Sequence, residues 1–144
     1  MNDTKNILLK KVTCLCCAAV MSFAALSAFA AEYADMPDDW SRESLEWAAE
    51  LGIITGDGGY IYPDSYVTRA QLAAMLARTF GFAGNGTGGF ADVAETDWFA
   101  PYVSAAAEYG FMGGSGGLFR PNDNVTRQEA IAAIARAFSV APSE

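Results

Sequence analysis

Arg69 and Arg127 sit at one place in two copies of a short motif, Thr68-Arg69-Ala70-Gln71 and Thr126-Arg127-Gln128-Glu129. A guanidinium is a planar fork of donors that suits a carboxylate. A repeated arginine therefore points to recognition of an acidic group, or to a salt bridge with one of the chain's own acids. Arg78 and Arg136 repeat as well, near helix C-termini, where interaction with the dipole accounts for them. Paired carboxylates raise the question of glycosidic hydrolysis. Asp39/Asp97 and Glu50/Glu108 are such repeats, but equal copies imply two equal roles, not one acid and one base in an asymmetric site.

Composition narrows the chemistry further. The 144 residues carry a net charge of −8, no histidine, and three cysteines at positions 14, 16 and 17. Beyond residue 30 there is no cysteine and no lysine, and six arginines face sixteen carboxylates, a charge of −10. That segment lacks the usual zinc, iron and copper ligands and every Ser-His or Cys-His pair. Asn122-Asp123-Asn124-Val125 lacks the alternating ligands and glycine of a calcium loop. No cofactor or metal is implied, and the acidity argues against a nucleic-acid partner.

Residues 1–30 read as a signal peptide. Lys10-Lys11 closes a basic region, an apolar stretch comes next, and Ala28-Phe29-Ala30 supplies the small residues of a cleavage site. An uncleaved anchor is the alternative, since Val12 to Ala30 spans 19 residues. The cysteines lack a lipoprotein context and are filler in the leader. After cleavage a secreted chain with no membrane segment is expected.

The elements that position the arginines come from a duplication. A shift of 58 residues lays Trp40 on Trp98, Gly52 on Gly110 and Pro63 on Pro121, with seventeen identities over positions 39–80. This gives two units, 31–82 and 90–144, joined by a glycine-rich linker at 83–89 without apolar periodicity. Each unit reads as helix–loop–helix. In unit one Ser41 is the expected N-cap and Gly52 the C-terminal glycine; in unit two Pro101 opens the first helix and Gly110 ends it. Thr68-x-x-Gln71 and Thr126-x-x-Glu129 are capping boxes for the second helices. Leu72, Ala73, Leu76, Ala77 and Phe80 form one apolar stripe; Ala130, Ile131, Ile134, Ala135 and Phe138 form the other. Fifty alanine-rich residues bury too little to fold alone, so the units are expected to pack together.

These motifs resemble the S-layer homology (SLH) module of bacterial surface proteins: Asp-Val/Met, a tryptophan, a helix ending in Gly, an apolar pair, a glycine turn, then Pro and Val-Thr-Arg-x-Glu/Gln. The best stretch is Gly117 to Arg127. The resemblance implies a mainly α fold, with two tandem modules forming part of a pseudo-threefold helical bundle. It implies a non-catalytic anchor at the cell wall or S-layer, binding secondary cell-wall polysaccharide, often pyruvylated, in grooves between modules. By motif position it assigns Arg69 and Arg127 to the acidic sugar substituent and Trp40 and Trp98 to the groove lining. Gly56 and Gly114 would let the sugar approach. The residues alone leave each tryptophan equally a core lid, and each threonine is explained by capping. Both tetrads depart from Thr-Arg-Ala-Glu, and two modules stand where three are usual. The alternative is therefore an assembly module, completing a bundle by self-association or with another SLH chain and binding no glycan itself.

Overall fold

The computed structural model describes residues 33–140, and the proposed leader lies outside them. The described chain is helical: α1 (Arg42–Glu50), α2 (Arg69–Phe80), α3 (Ala100–Glu108) and α4 (Arg127–Val140). Its β-structure among the described residues is limited to isolated bridges.

The expected caps are formed at the second helices. Thr68 accepts from the Gln71 amide at 3.3 Å, and Gln71 accepts from the Thr68 amide at 2.9 Å. Thr126 and Glu129 reproduce that exchange at 3.2 and 2.9 Å. Gly52 (φ 68°) and Gly110 (φ 75°) take the left-handed conformation after α1 and α3, and Pro101 stands in the first turn of α3. Ser41 departs from expectation. Its side chain makes no cap; its amide and hydroxyl both donate to Asp39 Oδ1, at 2.8 and 2.7 Å. The aspartate two residues upstream is the stronger acceptor and accepts both hydrogen bonds.

Asp35 and Asp92, the acids of the repeated Ala-Asp-Met/Val motif, fix the loops between helices. Asp35 accepts from the amides of Ile61 and Tyr62, and Asp92 from those of Phe119 and Arg120, all at 2.7–2.8 Å. Tyr62 (φ 53°) and Arg120 (φ 58°) lie in the left-handed region that side chains disfavour. Each is thus held in a strained turn by a carboxylate from the start of its own module.

The core runs through the join between the modules. Ala70, Ala73, Leu76 and Ala77 of α2 pack with Val103, Ala105 and Ala106 of α3, with Phe111 and Phe119 closing the cluster. Phe82, just past α2, stacks on Tyr109 (4.4 Å) and Phe111 (5.5 Å). The linker shares this packing: a Cβ on Gly84 would come within 2.3 Å of the Ala105 nitrogen, and Ser104 donates to Asn85 O at 2.8 Å. By contrast, α1 contributes no fully buried residue. Trp40 is 91% exposed beside it.

The inter-module seam as candidate functional site

The seam begins with main-chain bonds. The first amides of a helix have no intrahelical acceptor. Here the Arg69 and Ala70 amides donate to Asp123 O and Pro121 O of the second module, both at 2.9 Å. Val125 N donates back to Val67 O at 3.0 Å.

Arg69 follows its backbone into the second module. It is 6% exposed. Nε donates to Phe119 O at 2.8 Å, Nη1 to Glu129 Oε1 at 3.2 Å, and Nη2 to Gly113 O. The guanidinium carbon lies 4.9 Å from the centre of the Phe119 ring. The ion pair with Glu129 joins the cation of one motif to the capping-box acid of the next. Hydrogen bonds from the Thr126 amide and hydroxyl hold the Glu129 carboxyl below its ordinary value, outweighing partial desolvation, and Arg69 adds to the effect. Arg69 thus works as a plug between modules, with every nitrogen of its fork engaged by protein. Its matched partner Arg127 is exposed and makes no side-chain hydrogen bond or ion pair among the described residues.

The glycines of the expected site meet protein. A Cβ on Gly56 would lie 2.6 Å from the Tyr33 ring, and one on Gly114 would lie 2.6 Å from Phe90 and 2.2 Å from Leu118 O. Their bare Cα atoms let the turn fold back on itself.

An open groove of about 830 Å³ runs beside the plug. Its walls include Gly56, Tyr62, Tyr66, Arg78, Trp98 and Tyr102. Of the six residues assigned from the motif, Trp98 and Gly56 line it; Trp40, Arg69, Arg127 and Gly114 do not. Trp98 is 56% exposed and meets Phe99 edge-on at 5.5 Å. Arg78 lies 4.7 Å over the Tyr102 ring and donates to Tyr102 Oη, Ile53 O and Thr55 Oγ1 at 3.2–3.4 Å. Its Nη2 makes no hydrogen bond among the described residues. The dipole at the end of α2 explained Arg78 from sequence, and nothing local told that α3 would stand across from it.

Comparison with known families and proteins agrees with this architecture. The S-layer homology domain family matches residues 32–73 and 89–131. The chain belongs to the S-layer homology family. It is similar to the amylopullulanase of Thermoanaerobacterium thermosulfurigenes (35% identity over 74% of this chain and 6% of that protein). It is also similar to exoglucanase XynX of Acetivibrio thermocellus (33% over 76% of this chain, 10% of that protein). The S-layer protein of Bacillus thuringiensis subsp. finitimus matches at 27% over 96% of this chain and 17% of its own length. The chain therefore spans a small fraction of these relatives, and the enzymes share with it a segment of at most a tenth of their length. Family and relatives place it among cell-surface proteins. Among the described residues no helix is long and apolar enough to cross a membrane.

Proposed function

We propose that this chain is a non-catalytic anchoring unit that binds secondary cell-wall polysaccharide, an acidic, pyruvylated glycan, in the groove between its two modules at 31–82 and 90–144. The observation that carries this reading is the groove's chemistry. Trp98, Tyr102, Tyr62 and Tyr66 offer ring faces to sugar C–H groups, and Arg78 offers a donor edge to a carboxylate. The repeat of Arg78 and the family membership support it further.

The charge of −10 beyond residue 30 repels an anionic glycan at long range, so attraction has to be local. Moderate salt and divalent cations then leave binding intact or improve it. The test is pull-down on purified sacculi before and after removal of the wall polysaccharide. Polysaccharide-dependent retention that falls about tenfold in Trp98→Ala, roughly 1.4 kcal/mol, supports the reading. Retention that ignores the polysaccharide, or falls steeply with salt, sinks it. The second reading, an assembly module, is favoured by the bare apolar surface of α4.

A further inference from the structure

The linker is anchored at both ends and leaves its middle in solvent. Gly84 lies against the main chain of Ala105, and a Cβ on Gly88 would come 3.3 Å from the Ser104 Cα. Between them the main-chain oxygen of Asn85 accepts from the Ser104 hydroxyl at 2.8 Å, and Ser104 is only 5% exposed. Asn85 and Gly86 are themselves exposed, and a Cβ on Gly86 would meet nothing within 4 Å.

An asparagine reacts with its own chain where the next amide nitrogen is unshielded and has no hydrogen bond to give up. Three asparagines lie among the described residues, and one of them meets that condition. After Asn122, the Asp123 amide donates to Arg120 O at 3.2 Å. After Asn124, the Val125 amide donates to Val67 O at 3.0 Å, beneath a β-branched side chain. The Gly86 amide donates to no protein acceptor among the described residues, and no Cβ screens it. Asp57-Gly58 offers a similar nitrogen, but an ionised carboxylate is a far poorer electrophile than a carboxamide.

We propose that Asn85 is a self-modification site, at which the Gly86 nitrogen attacks the side-chain amide carbon Cγ. The N–Cγ bond forms, the Cγ–Nδ2 bond breaks, and the amide nitrogen leaves as ammonia with the proton that Gly86 has lost. Water then adds to either carbonyl carbon of the cyclic imide. The bond from that carbon to nitrogen breaks, and a proton passes to the nitrogen. Opening at Cγ restores the main chain as an aspartyl residue. Opening at the original main-chain carbon gives an isoaspartyl residue, whose chain runs through the former side chain and is one methylene longer.

The anchors decide what this does to the fold. In the isoaspartyl product the oxygen that Ser104 holds belongs to a pendant carboxylate. The path from Gly84 to Gly88 takes the extra methylene while both its ends are pinned. Close packing against Ser104 and Ala105 has no room for it, and a charge beside a buried hydroxyl adds a desolvation cost. The modified linker therefore lifts from α3, and the packing it shares with the seam weakens as the chain ages. The proposal rests on the linker, not on the groove, so the sacculus result does not bear on it.

The test holds the full chain folded in mildly alkaline buffer, with a urea-unfolded sample as reference. Mass spectrometry of the linker peptide follows loss of the amide, and labelling by an isoaspartate-specific methyltransferase follows the longer product. No hydrogen bond has to open at Gly86, so the folded chain converts Asn85 within about tenfold of the unfolded rate. Asn122 and Asn124 keep their amides in the folded chain. The aged chain has a lower urea midpoint than the fresh one. Asn85→Gln, which retains the main-chain oxygen but closes a ring far more slowly, takes no label and keeps its midpoint. An Asn85 amide that survives in the folded chain while it is lost in urea overturns the site. Full conversion with an unchanged midpoint overturns the loosening of the linker.

Discussion

Arg69 and Arg127 share a motif and a helix position, yet one is buried among protein groups and the other stands in solvent. Truncating Arg69 strands Phe119 O and Gly113 O inside the seam and leaves Glu129 without its cation. Unmet buried acceptors cost about 1–3 kcal/mol each. Arg69→Ala should therefore lower the unfolding free energy by about 2–4 kcal/mol, while Arg127→Ala in the two-module chain changes it by less than about 0.5 kcal/mol. Urea titration of both variants checks this, and equal losses would refute the plug. Arg69→Lys should recover little, because one ammonium cannot reach three acceptors set out for a planar fork. Capping explains neither arginine, and that much is legible in the sequence. The motif could not separate the two, because the tetrads read nearly alike and the difference lies in the neighbour each one meets in space.

The glycine turns and the helix caps are readable to different depths. Capping boxes are local, so Thr68/Gln71 and Thr126/Glu129 form as their spacing predicts. Ser41 is as local, but a nearer carboxylate outcompetes the helix for it. The glycines are read less directly, since a missing side chain looks the same whether it admits a ligand or a neighbouring turn. Gly113 and Gly114 separate the cases. A Cβ on Gly113 meets nothing within 4 Å, whereas one on Gly114 strikes Leu118 O and Phe90. Gly114→Ala should destabilise by about 1–3 kcal/mol through overpacking, with Gly113→Ala near neutral. Thermal melts of the pair test it; a benign Gly114→Ala would return that glycine to the ligand. The fold class and its four helices were legible because apolar stripes and turns repeat. The groove was not, because Arg78 and Trp98 are distant in sequence and are brought to it by the packing of α3 on α2.

At the scale of the molecule, the seam and the turns within each module are held by groups that titrate in acid. Glu129, Asp92 and Asp39 all have carboxyls held below their ordinary values of 4.5, 3.8 and 3.8. For Glu129 the cause is the Thr126 amide and hydroxyl. For Asp92, desolvation pushes upward, but the amides of Phe119 and Arg120 prevail. For Asp39 it is the hydroxyl and amide of Ser41. A depressed folded-state value stabilises fully above the unfolded-state value and is lost as pH falls through the folded one. With no histidine in the chain, the urea midpoint should hold level from about pH 8 to about pH 5 and fall below about pH 4. A drop beginning above about pH 6 would contradict this. The seam also constrains how the chain reaches its fold. The acceptors of Arg69 lie 44 to 60 residues further along, so during synthesis the first module emerges with a bare cation and two idle helix amides. Contacts that distant close late. A chain ending at Phe82 should therefore resist protease less than the full chain, because the groups that engage Arg69 and the first amides of α2 are missing from it.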